Sequence, residues 1–188
     1  MGPREGNHRK KLRNLTPAEL EAKLPKLRPD NYKWASQATG RYNCLAFAND
    51  SDRKWWEPGL FGGRFDWPAE DIPNTLEGWV TIFSRQGYEL TSNREIEPGF
   101  EKVAIYVDQK DFDLHVAKSN GVVWKSKLGR YQDIEHSSLD LLEGHQAWEY
   151  GIVERILRRP IKKVPSPTNE SSIMKPAPAP NIPGERTP

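Results

Sequence analysis

The run Leu114-His115-Val116-Ala117-Lys118-Ser119-Asn120-Gly121-Val122-Val123-Trp124-Lys125-Ser126-Lys127-Leu128 decides the fold class. Two segments that alternate with a period of two flank Asn120-Gly121, the strongest short-range hairpin signal. A two-residue type I′ turn there pairs Ser119 with Val122, Ala117 with Trp124 and His115 with Ser126. One face of the hairpin then carries His115, Ala117, Val122, Trp124, Ser126 and Leu128. The other carries Val116, Lys118, Val123, Lys125 and Lys127. The first face reads as buried and the second, with three lysines, as wetted. A slip of one residue would mix the two sets. The expected register therefore sets His115 beside Ser126 on the core side, within hydrogen-bonding reach.

Further strands follow from the same periodicity. Glu101–Asp108 has a strongly apolar centre, Tyr88–Thr91 is short, and Tyr150–Arg158 is rich in Ile and Val. Upstream the signals are helical. Thr16-Pro17-Ala18-Glu19 joins a cap, a proline suited to the first turn and a capping-box glutamate, which predicts a helix to about Leu24. Residues 29–42 read as a loop. Asn43 caps Cys44-Leu45-Ala46-Phe47-Ala48, a helix that stops near Asn49-Asp50. Residues 54–74 form an irregular loop packed by Trp55, Trp56, Phe65 and Trp67. Asn74-Thr75 caps a helix from Leu76 to about Gln86 with Leu76, Val80 and Phe83 on one face, and Gly87 ends it. Ser137 caps a short helix near Leu139–Glu143. Helices followed by an antiparallel sheet define an α+β domain, its N-terminal helices packed on the sheet.

The domain occupies residues 14–164. Residues 1–13 form a flexible basic arm that includes Arg4, Lys10, Lys11 and Arg13. Eight of the 16 prolines fall between Pro160 and Pro188, and residues 165–188 have almost no aliphatic side chains. Such a segment buries too little apolar surface to offset its ordering entropy, so it is expected to be a disordered Pro-rich tail. The chain of 188 residues has a net charge of +2, and the positive excess belongs to the arm. The folded part is slightly acidic, so nothing points to nucleic acid. The mean hydropathy of −0.81 and the absence of a long apolar run exclude a membrane-spanning helix. With no apolar signal-peptide core, the cytoplasm is the expected compartment. A single cysteine, Cys44, excludes internal disulfides and zinc sites built on several thiolates.

Cys44 stands at the first turn of its helix, where free amide N–H groups favour a thiolate. His115 lies near the start of an inner-facing strand, and an imidazole near neutral pH can take a thiol proton. Ser126 is the candidate to orient that imidazole, with Asp133 and Gln132 as alternatives. Trp55, Trp56 and Trp124 are candidate pocket walls. His136 and His145 read as exposed and, with His115, are too scattered for a metal site. No phosphate-binding glycine loop is present, so no cofactor is expected.

A helix-start cysteine, an inner-facing histidine on a later strand and a polar residue on the next strand resemble the papain-like cysteine hydrolases in their NlpC/P60 and CHAP forms. More specifically, a set of segments is similar to a bacterial family of domains of unknown function (DUF7689), over roughly residues 40–160. The segments are Asn43–Ala48, Trp55–Pro58, Val103–Tyr106, His115–Lys118, Trp124–Gly129, Asp133–His136 and Tyr150-Gly151. The papain-like resemblance implies Cys44 as nucleophile, His115 as base and Ser126 at the third position, which in those enzymes is usually His, Asn, Asp or Gln. It further implies hydrolysis or acyl transfer on a peptide-like or acyl substrate through a thioester on Cys44. The competing expectation is a non-catalytic binding domain with the aromatic loop as its recognition surface.

Overall fold

The computed structural model describes residues 12–58, 67, 70–110 and 113–161. Residues 1–11 of the arm, the Pro-rich tail and Phe65 lie outside the described residues. The first helix, α1 (Pro17–Lys23), starts where expected. Thr16 Oγ1 accepts the Glu19 N–H, and the Glu19 carboxylate accepts the Thr16 N–H at 2.9 Å, a complete capping box. Asn43 caps α2 (Cys44–Ala48) through its Oδ1, which accepts the Ala46 N–H at 3.1 Å. Thr75 caps α3 (Leu76–Ser84) by accepting the Gly78 N–H. Gly87, at φ 84°, ends the last turn of α3 with its N–H on the Ser84 carbonyl.

Seven strands form one antiparallel sheet. They are β1 (Tyr32–Trp34), β2 (Glu89–Thr91), β3 (Phe100–Asp108), β4 (Asp113–Ser119), β5 (Trp124–Lys127), β6 (Asp133–His136) and β7 (Ile152–Pro160). Their spatial order is β1-β6-β5-β4-β3-β7-β2. A bulge lets β7 keep pace with β3, because Ile105 pairs with Arg155 while Tyr106 pairs with Val153. Two of these strands, β1 and β6, are not expected from the sequence. Each is three or four residues long, and β1 lies within the expected loop of residues 29–42.

The helices do not share one face. Leu20 of α1 and Leu24, its C-terminal cap, pack with Tyr106, Ala117, Trp124 and Ile134 on one side of the sheet. Leu45 of α2 and Trp79, Ile82 and Phe83 of α3 pack with Val103, Ile105, Val116 and Leu157 on the other. The hairpin face expected to be wetted is therefore covered by α2. Lys118 reaches the C-terminal end of α2, donating to the Phe47 carbonyl at 2.8 Å and to Asp50 at 2.7 Å. Lys127 is wholly buried.

The hairpin register also differs, by two residues. Ser119 pairs with Trp124, Lys118 with Lys125 and Ala117 with Ser126. Asn120 does not adopt the positive φ that a type I′ turn requires at both central residues. Side chains shape a wider loop instead: Ser119 Oγ accepts the Gly121 N–H and Asn120 Oδ1 accepts the Val122 N–H. Val122, expected inside, is 75% exposed at the loop tip. A shift of two preserves the faces, since the side-chain period is two, but it changes every partner.

Gly151 leads into β7 at φ 75°, and a Cβ there would lie 1.9 Å from the Val107 carbonyl oxygen. Gly87 also has positive φ, but a Cβ there would meet nothing within 4 Å. Gly151→Ala should therefore cost about 3 kcal/mol or more, against about 1 kcal/mol for Gly87→Ala. Urea denaturation of the two variants checks this, and equal losses would contradict the close approach.

Candidate functional site

The ladder between β4 and β5 ends at Ala117–Ser126, while β4 continues back to Asp113. Past Lys127 the chain turns away through Gly129 at φ 55°. A cleft of about 790 Å³ opens beside the unmatched half of β4. The start of α2, Trp55 and Trp56, residues 113–115, the turn at residues 128–131 and residues 145–150 all line it.

Cys44 lines this cleft and is half-buried. Burial pushes its thiol up to about 11, against the opposing pull of the Val116, Leu45 and Cys44 backbone N–H groups and the Lys127 ammonium. The helix-start environment thus fails to create a thiolate, because desolvation outweighs the aligned N–H groups.

His115 lines the same cleft and is 3% exposed. Its ring stacks on Tyr150 at 3.8 Å between centroids and meets the edge of Tyr106 at 5.5 Å. Nε2 is buried and has no hydrogen-bond partner among the described residues. Burial lowers its pKa to about 3, with nearby His136 adding a smaller push in the same direction. Cys44 packs with the α2-side core, whereas Tyr106, opposite His115, belongs to the α1-side core. The two candidates share a cleft, but no hydrogen bond joins them.

Ser126 does not meet His115. On β5 it faces Ala117, and its Oγ lies 3.0 Å from His136 Nε2. His136 Nδ1 lies 2.9 Å from the Ser138 carbonyl, which can only accept, so Nδ1 carries the hydrogen and the Ser126 hydroxyl donates to Nε2. His136, expected to be exposed, is buried in β6, and burial lowers its pKa to about 4. Its signal was the alternation of Asp133-Ile134-Glu135-His136, too short to stand out as a strand.

The alternative third residues have other partners. Asp133 accepts from the Tyr42 hydroxyl at 2.8 Å and lies 3.5 Å from the Lys127 ammonium. Lys127 also donates to the Tyr131 carbonyl. Gln132 exchanges two 3.0 Å hydrogen bonds with the Leu15 backbone and pins the segment before α1. Trp124 is a core residue, 1% exposed, and does not line the cleft. Trp55 and Trp56 do line it. Sequence reasoning missed Tyr150, which covers His115, and Lys127, which no pattern separates from the accessible Lys125.

Among the described residues, no group of three or more His, Cys, Asp or Glu could hold a metal ion, and no helix is long and apolar enough to cross a membrane. The fold and cleft define a domain built on one seven-stranded antiparallel sheet, with a cysteine and a histidine in a cleft beside its fourth strand. The model of the family described as Domain of unknown function (DUF7689) matches residues 33–158, and the chain belongs to that family. No curated protein and no solved structure matches the chain.

The two buried histidines give folding a defined acid sensitivity. The fold keeps both imidazoles neutral, whereas the unfolded chain protonates them near pH 6.5. Their contribution is present above about pH 6.5 and is lost as pH falls toward 4 and then 3, because the unfolded state binds the extra protons. In that window each histidine should add a slope of up to ~1.4 kcal/mol per pH unit. Urea melts from pH 7 to 4 should show this slope shrinking in His115→Gln, and an unchanged slope would contradict a neutral buried His115.

Proposed function

We propose that this domain binds a small peptide-like or acyl ligand in the β4 cleft. The observation that carries the reading is the unpartnered Nε2 of His115. A buried polar atom without a partner costs about 1–3 kcal/mol, and such atoms are rare in folded proteins. Between Tyr106 and Tyr150, phenylalanine would supply the same ring contacts without that cost. A nitrogen placed there fits a position that a ligand satisfies. The aromatic walls at Trp55, Trp56 and Tyr150 supply the apolar surface of a typical binding site, with a few polar groups to orient the ligand.

The variant His115→Phe tests the reading. It should raise stability by about 1 kcal/mol in urea melts, since it removes the unsatisfied nitrogen and keeps the stacking on Tyr150. It should also abolish the binding that saturation-transfer NMR detects among N-acetyl amino-acid methylamides. Loss of stability, or unaltered binding, would overturn the reading.

Cys44 on the wall of the same cleft supports a second reading, acyl transfer in a papain-like arrangement. The Sγ–acyl bond would form, the ester or amide bond of the substrate would break, and the thiol proton would pass through His115 to the leaving group. Burial raises the thiol to about 11 and lowers the imidazole to about 3, so both favour their neutral forms and the proton would move only as the Sγ–acyl bond forms. With no acyl donor added, alkylation of Cys44 by iodoacetamide should rise only as pH approaches 11. With p-nitrophenyl acetate, mass spectrometry should find acetylated Cys44 in the parent protein and none in His115→Phe. Equal acetylation in both proteins, at the rate of a free thiol, would contradict this reading.

A further inference from the structure

We propose that the ligand of the cleft bears an ammonium group, of the class presented by a lysyl side chain of a peptide. The proposal rests on the reading of the cleft as a ligand site and specifies its chemistry. Asp108 and Asp113 face each other at the end of the β3–β4 ladder, and both line the cleft. Like charges directly opposite on antiparallel strands repel. Neither carboxylate has an ion-pair partner among the described residues, although Asp108 accepts the Lys110 backbone N–H at 2.9 Å. A cation between them would relieve the repulsion.

The surroundings agree. The described carboxylates of the lining are Glu57, Asp108, Asp113 and Glu149, against the cations Lys110 and Arg130. Two rings of the wall already receive cations on their faces. The Lys23 ammonium sits 3.9 Å above Trp148, and the Arg130 guanidinium lies 5.8 Å from Trp55. His115 is two residues from Asp113 along β4, so both side chains leave the same face of the strand. His115 lines the same cleft, and its buried Nε2 has no partner among the described residues; in the Nδ1–H tautomer that nitrogen accepts from an ammonium N–H. A metal ion is the less suitable occupant, because no group of three or more ligating side chains is present among the described residues.

The test is an NMR titration of the full ¹⁵N-labelled chain with two probes. One is Nα-acetyl-lysine methylamide. The other is its Nε-acetylated derivative, which keeps the chain and loses the charge. The charged probe should bind about tenfold tighter and shift the signals of Trp55 and residues 113–115. The preference should shrink at about 0.5 M salt and disappear in the double variant Asp108→Asn/Asp113→Asn, which removes a repulsive pair and leaves folding intact. Equal or tighter binding of the neutral probe in the cleft would overturn the ammonium proposal and leave the binding reading standing. A charge preference that survives the double variant would also overturn it. If neither probe perturbs the cleft signals, both proposals fail.

Discussion

The cleft exists because β5 is shorter than β4, and the buried ammonium of Lys127 fixes where β5 stops. Lys127 ends the strand with its side chain held between the Asp133 carboxylate and the Tyr131 carbonyl. Tyr131 lies in the turn and Asp133 opens β6, so the ammonium ties the end of β5 to the turn and to the start of β6. A charge taken out of water is tolerated only when it is paired and hydrogen-bonded, and here the pairing also closes the turn. Residues 128–131 are thereby drawn away from β4, and Asp113–Val116 continue without a partner on β5. Everything proposed for this molecule takes place in the space left by that early divergence.

The divergence also explains how Cys44 and His115 reach one cavity from opposite sides of a sheet. α2 lies on one face, and its first residue stands beside Val116. His115 points to the other face, under Tyr150. Where β4 has neighbours on both sides, the sheet separates its two cores. Where β5 has left, the cleft wraps around the free side of β4 and touches both. The histidines then divide into two kinds. His136 is satisfied at both ring nitrogens by Ser126 and Ser138, which makes it a structural tie between β5, β6 and the Leu139–Leu141 turn. His115 is stacked but unpaired at Nε2, which leaves a hydrogen-bonding site unused among the described residues.

Local chemistry was legible in the sequence, and pairing was not. The caps at Thr16, Asn43 and Thr75 use side chains within three residues of their targets, so the sequence contains both partners. The shared face of His115, Ala117, Trp124 and Ser126 was legible as well, because the period of a strand survives a shift of two. The partner of each residue was not, because it depends on the loop. Asn120-Gly121 favours a tight turn in isolation. In the folded chain a Cβ on Gly121 would come within 3.1 Å of the Glu97 and Phe100 carbonyls, so this loop packs against a segment distant in sequence. The wetted reading of the lysine face failed for a related reason. Lys118 and Lys127 find carbonyl and carboxylate acceptors from α2, β6 and the turn between β5 and β6, and nothing local announces them. Cys44 and His115 were found from residue type and position, whereas Tyr150 became visible only through the stacking.

The central claim is that His115 is held neutral and unpaired at Nε2 in the cleft. Long-range ¹H–¹⁵N correlation of its imidazole nitrogens across pH measures this directly. A neutral ring that shows no titration between pH 7 and about pH 4, with the Nε2 signal free of any protein partner, is the predicted result. A titration midpoint near 6.5 would place His115 in water or beside a stabilising charge, and would contradict the account.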